Sequence, residues 1–148
     1  PIDAAEGYAK ATRGLGVAVV TAGPGFTNVL TSLANAFVDR TPVLYIAGGS
    51  PPSAANMNVL QSGFDQVAVA KPIAKWAHRV AALADIPRLI TPAIRVATAA
   101  PTGPVFLEIP WDLMLAPVAK AQMVLTHAVP FHPLTLSLSH SSPMNGYL

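Results

Sequence analysis

The segment Thr21-Ala22-Gly23-Pro24-Gly25-Phe26-Thr27-Asn28 concentrates the residue types that approach ligands. Glycines let backbone come close to a bound group, and a helix start offers free N–H donors. Two readings stand. One is an anion or cofactor site at the carboxyl end of a parallel strand. The other is a tight turn in which Thr27 or Asn28 caps a helix. The stretch is neither a G-x-G-x-x-G fingerprint nor a phosphate loop ending in Gly-Lys-Ser/Thr. Gln61 follows an uncharged loop and precedes Gly63 and Asp65. At a helix start it would aim its amide into a cleft; otherwise it is a surface glutamine. His78 lies beside Trp76 and Lys75 in an apolar run, where a packed, hydrogen-bonded core residue competes with a catalyst. His127, His132 and His140 have no carboxylate or thiol to complete a metal site. Nothing joins Glu6 to Glu108, and no nucleophile elbow is visible.

These residues need elements to position them, and the pattern is α/β. Asp3 to Thr12 is Ala-rich with basic residues near its end, as a helix prefers. Gly16 to Thr21 and Pro42 to Ala47 are short β-branched or apolar runs typical of buried strands. Phe26 to Val38 is predicted helical, with Leu30, Leu33, Ala34 and Phe37 on one face. Gln61 to Ala70 reads as a short helix and Ile73 to Val80 as a strand. Asp85 caps a helix running to Ala99, in which Thr91-Pro92 predicts a kink or break. Val105 to Ile109 is the last strand, closed by Pro110. Strands separated by helices imply a mostly parallel sheet with helices on both faces.

Composition narrows the class. The chain has 148 residues, 52% apolar and 11% charged, which excludes a disordered chain. Few charges are left to coat a surface, so the domain expects company. The net charge of +2 carries no basic cluster, so neither nucleic acid nor an anionic membrane is indicated. No apolar run is long enough for a spanning helix. The absence of cysteine suits a cytoplasmic protein. The start Pro1-Ile2-Asp3 lacks the features of a signal peptide and an initiating Met, as expected of a processed chain or a piece of a longer one. Beyond Asp112 only Lys120 is charged. Residues 1–115 are expected to form the domain. Residues 116–148 are expected to be a divergent tail, disordered or linker-like, although Leu134-Thr135-Leu136-Ser137-Leu138-Ser139 alternates as an edge strand would.

Taken together, Ala4-Ala5-Glu6-Gly7-Tyr8-Ala9, the Thr21–Asn28 segment and Ala34-Asn35-Ala36 resemble the pyrimidine-binding (PYR) domain of thiamine diphosphate enzymes. The acetolactate synthase, pyruvate oxidase and 2-hydroxyacyl-CoA lyase group shares that pattern. Asp39-Arg40-Thr41-Pro42-Val43-Leu44, Leu60-Gln61, Asp65-Gln66-Val67-Ala68, Ile73 with Lys75 to Val80, Ile86-Pro87-Arg88-Leu89 and Pro110-Trp111-Asp112 are most similar to the benzaldehyde lyase type. The resemblance covers about residues 4–115.

The resemblance implies a carbon–carbon lyase or ligase acting on 2-hydroxy ketones and aldehydes, with thiamine diphosphate as cofactor. Thr21, Pro24, Gly25 and Asn28 would line the pyrimidine side, and Gln61 would reach the reacting carbon as a catalytic residue. The diphosphate and its Mg²⁺ would sit on a pyrophosphate (PP) domain of the same or a second subunit, in a homo-oligomer. The family's catalytic glutamate would fall before Pro1, so the fold is expected to be truncated at its N-terminus and the isolated chain not to turn over substrate. A non-catalytic domain serving as an assembly or binding module is the alternative.

Overall fold

The computed structural model describes residues 2–54, 57, 61 and 63–117. Along the chain, α1 (Ile2–Thr12), β1 (Gly16–Val20), α2 (Pro24–Val38) and β2 (Val43–Gly49) come first. A turn at Pro52–Ala54 leads towards α3 (Gln66–Ala70), β3 (Trp76–Arg79), α4 (Asp85–Thr98), β4 (Val105–Pro110) and α5 (Trp111–Met114). The four strands form one sheet in the order β1-β2-β4-β3, with every neighbouring pair parallel. This is the expected α/β class.

Crossover handedness explains the layers. The step from β1 to β2 and the step from β3 to β4 run in opposite directions across the sheet. Right-handed connections then place their helices on opposite faces. Accordingly, Phe26, Val29, Leu33 and Ala36 of α2 join Ala5 and Ala9 of α1 and Ala70 of α3 over Val43, Tyr45, Ala47 and Phe106. Ala93 and Ala97 of α4 cover Leu44, Val105, Leu107 and Ile109 on the other face. β4 is buried along its whole length, as a central strand coated on both sides must be.

Several local expectations change. The buried face of α2 is Phe26, Val29, Ser32, Leu33 and Ala36, while Phe37 is exposed. Apolar and small residues surround much of this helix, so periodicity allowed two faces, and contact between Phe26 and Phe106 (ring centroids 4.9 Å) selects one. The helix expected over residues 61–70 begins only at Gln66, where the Asp65 side chain accepts a hydrogen bond from the Ala68 amide. The third strand is shorter than Ile73–Val80 because Lys71-Pro72-Ile73 forms a 3-10 turn. Asp85 is the first residue of α4, with Ala84 at the cap position. α4 also continues through Pro92 without a break. The missing Pro92 amide would have paired with the carbonyl of Arg88, an exposed residue to which water has access. His78 is exposed rather than core, and its ring stacks on Trp76 at 5.3 Å. The alternating segment 134–139 and the histidines at 127, 132 and 140 lie outside the described residues.

A polar network is enclosed between α1, α2 and β2. Ser32 Oγ donates to Glu6 Oε2 at 3.3 Å and shares a 2.8 Å hydrogen bond with the Tyr45 hydroxyl. Lys10 Nζ closes it with contacts of 2.7 Å to Glu6 and 2.6 Å to Asp39, and those carboxylates, Asp39 foremost, hold its ammonium pKa above the usual range. Burial pushes the Tyr45 hydroxyl up to about 12, against a lowering by its bond to Ser32. A raised acid pKa means the unfolded chain releases this proton first, so stability falls as pH rises from 10 towards 12. Denaturant melts over that range should show the midpoint dropping. Tyr45→Phe should cost about 1 kcal/mol at neutral pH yet flatten the alkaline decline. An equally steep decline in the variant would assign the effect to other groups.

Candidate functional site

In a parallel sheet all carboxyl ends lie along one edge, and here that edge gathers the residues singled out by type. β1 ends at Val20 and β2 at Gly49, next to the Thr21–Pro24 turn. Gly23 holds that turn with φ +61°, a conformation open to glycine. The turn packs against the loop that leaves β2: a Cβ on Gly23 would lie 2.9 Å from Gln61 Cα. Thr21 Oγ1 donates to Gln61 Oε1 at 2.8 Å, joining two predicted site residues that stand 40 positions apart.

The predicted residues fall as follows. Thr21, Pro24, Asn28 and Gln61 are exposed and Gly25 is half-buried. Pro24 and Gly25 open the first turn of α2, and Asn28 follows on the next. Gln61 is not at a helix start. It occupies a turn with φ +65°, five residues ahead of α3. Neither Thr27 nor Asn28 caps α2; Gly23 stands at the cap position without a side-chain hydrogen bond.

Sequence reasoning passed over Gln66 as a site element. Its side chain is buried and satisfied at both atoms: Gly23 N donates to its Oε1 at 2.9 Å, and its Nε2 donates to Gly48 O at 2.8 Å. Its signal was faint, a polar residue following the Asp65 cap on an otherwise apolar helix. Beneath the turn, Phe26 contacts Phe64 at 5.9 Å between ring centroids, which ties α2 to the Gln61 loop. Met114 of α5 also lies over Gly48, its Cε 3.5 Å from a Cβ built there.

Charge is kept to one flank. Arg79 Nε donates to the buried carboxylate Glu108 at 2.8 Å, and Arg79 Nη2 lies 3.6 Å from Asp65. The Glu108 carboxylate rests against Gly49, where a Cβ would come within 2.2 Å of it. No charged residue occurs between Arg13 and Asp39, so the turn itself presents hydroxyl, amide and backbone groups only. Pro24 at the first helical position also removes one of the free amides. The turn thus offers neutral donors and acceptors without a cation of its own. Moreover, the space beside Gly25 is filled by the Thr21 methyl, 2.7 Å from a Cβ built there, so this glycine serves chain packing rather than anion approach. Among the described residues no group of three His, Asp or Glu could hold a metal ion, and no helix is long and apolar enough to cross a membrane.

Gly23→Ala should cost about 1–3 kcal/mol, from the left-handed φ and the collision with Gln61. Arg79→Ala should cost about 2–4 kcal/mol, because it strands Glu108 in a buried position; the lower part of the range reflects the half-exposed guanidinium. Chemical denaturation checks both, and neutrality of either would remove its constraint.

Known proteins share this stretch. The family model described as "Thiamine pyrophosphate enzyme, N-terminal TPP binding domain" matches residues 2–69. The acetolactate synthase large subunit of Lactococcus lactis is 38% identical over 116 residues, which is 78% of this chain and 20% of that protein. The mitochondrial acetolactate synthase of Schizosaccharomyces pombe is 37% identical over 127 residues, 86% of this chain and 19% of the relative. The 2-hydroxyacyl-CoA lyase 2 of Caenorhabditis elegans is 39% identical over 111 residues, 75% of this chain and 17% of the relative. The chain thus spans about a fifth of the length of the curated relatives it matches.

Proposed function

We propose that the chain forms the pyrimidine side of the active site of a carbon–carbon lyase or ligase, since residues 2–69 match the N-terminal TPP-binding domain of the thiamine pyrophosphate enzymes and the chain is similar to acetolactate synthases. Thiamine diphosphate is the cofactor that this domain implies. When bound, it supplies the electron sink that lets a bond next to a carbonyl break or form. The observation that carries the reading is the Thr21–Gln61 hydrogen bond against the Gly23 turn, at the carboxyl edge of a parallel sheet. Thr21, Pro24, Gly25 and Asn28 line the ring's side of the site, and Gln61 directs its amide towards the reacting group. The substrates are 2-hydroxy ketones and aldehydes. The motifs around Lys75 to Val80 and Pro110 to Asp112 support the benzaldehyde lyase type within the acetolactate synthase group.

The partner is a PP domain, of the same or a second subunit, that brings the diphosphate and Mg²⁺ site. Exposed Met57, Phe64, Met114 and Leu115 support an apolar contact near this edge. Residues 1–115 form the domain in this proposal, with 116–148 outside the functional unit, and the cytoplasm is the compartment. The same exposed residues favour a second reading, a non-catalytic assembly module.

Three measurements test the proposal, and the last separates the two readings. In an NMR titration of the 148-residue chain, millimolar thiamine should shift amides of Thr21, Gly25, Asn28 and Gln61. Calorimetry should show no micromolar, Mg²⁺-dependent binding of thiamine diphosphate by the isolated chain. Shifts scattered elsewhere would defeat the placement of the site. In a chimera carrying residues 2–115 in the Lactococcus lactis acetolactate synthase, product formation should persist. Gln61→Ala should lower its turnover at least about tenfold while the melting temperature moves little. A chimera that assembles without turnover would favour the assembly module.

A further inference from the structure

We infer that Gln66 is the positioning residue for Gln61: its buried carboxamide fixes the Gly23 turn against the end of β2, and Gln61 is seated on that turn. The inference rests on the preceding reading of Gln61 as a site residue.

The orientation of the Gln66 amide is set by chemistry. Gly23 N–H can only donate and Gly48 C=O can only accept, so Oε1 must face the first and Nε2 the second. Gln61 differs, since its side chain meets a hydroxyl, which either donates or accepts. Gln66 is 4% exposed, so neither of its bonds is readily replaced by water. From Gly23 the constraint passes directly to Gln61, whose Cα and carbonyl oxygen would be 2.9 and 3.1 Å from a Cβ on Gly23. It passes also through Thr21, two residues upstream, to the Gln61 amide.

Gln66 is itself well anchored. Asp65 caps the helix that carries it and lies 3.6 Å from Arg79, and Arg79 is bound to Glu108 of β4. The α3 start is therefore tied to β3 and β4, and the Gln66 side chain carries that attachment to the loops after β1 and β2. Without it, Gln61 would keep its hydrogen bond to Thr21 but lose the fixed backbone beneath it.

The test reads geometry in the full 148-residue chain by NMR, with no ligand present, so it is separate from the thiamine titration. In Gln66→Met, Gly23 amide exchange should quicken roughly tenfold relative to the strand amides, the factor set by loss of one hydrogen bond. The contact between the Thr21 methyl and the Gln61 side-chain amide should vanish. Lys75→Met serves as control. It removes the Lys75 bonds to the Val96 and Ala99 carbonyls at the end of α4, and should lower the melting temperature while leaving the Thr21–Gln61 contact in place. Gln66→Glu supplies a rescue. When protonated, its acid O–H donates to Gly48 O while the other oxygen accepts from Gly23 N–H, restoring the pattern. When ionised, it turns a carboxylate oxygen on Gly48 O. The Thr21–Gln61 contact should therefore be present at acidic pH and lost reversibly once the carboxyl ionises, at a pH that burial and the Gly48 carbonyl move above the usual carboxylate range. Retention of that contact in Gln66→Met, or in Gln66→Glu at every pH, would overturn the inference. So would an unfolded Gln66→Met coupled with a Gln66→Glu variant that shows no pH dependence at Gln61.

Discussion

The parallel pairing of β2 with β4 is the constraint on which the rest of the structure depends. Six residue pairs, from Leu44 with Val105 to Gly49 with Pro110, align the two strands, and both are buried on both faces. Such a pair is stable only when each face is covered, and α1 to α3 on one side and α4 on the other supply that cover. Parallel strands also send all their carboxyl ends in one direction. The Thr21–Pro24 turn, the Gly48-Gly49 end of β2 and the close of β4 consequently share an edge. The site is a by-product of the way the core is buried.

Cover is uneven across the sheet. On edge strand β1, Ala18 is buried under α1 and α2, but Val17 and Val19 on the opposite face are 52% and 71% exposed. α4 spans β2 and β4 and does not extend over them. With the exposed residues near the carboxyl edge, this gives the low charge content a location. Six of the charged residues are tied into two clusters that hold elements together: Lys10 with Glu6 and Asp39, and Arg79 with Glu108 and Asp65.

Legibility in the sequence followed the range of the interactions. β1, β2 and β4 appeared as short, largely apolar runs, although burial on both faces holds for β2 and β4 and not for edge strand β1, and β4 also buries Glu108. α1 and α2 were readable from composition and from the glycines and Pro24 at their borders. Gln61 was recognisable only through resemblance, since no local pattern separates it from a surface glutamine. Its turn was misread as a helix start because the signal that begins α3, the Asp65 cap, lies four residues further on. The face of α2 was misjudged for a related reason: its periodicity is nearly degenerate, and a contact with β4 breaks the tie.

Composition, hydrophobic pattern and residue type by themselves determined that this is an α/β domain with a parallel sheet, a neutral glycine turn after the first strand, and a low content of charge. Those properties are local or averaged, so a linear chain displays them. Only the tertiary structure decided that Thr21 and Gln61 meet, that Gly23 takes a left-handed conformation against Gln61, and that Gln66 joins two loops through one amide. These depend on close contacts and hydrogen bonds between residues 18 to 43 positions apart, which must fit to about a few tenths of an ångström. A one-residue change in strand register would abolish them while leaving the composition untouched.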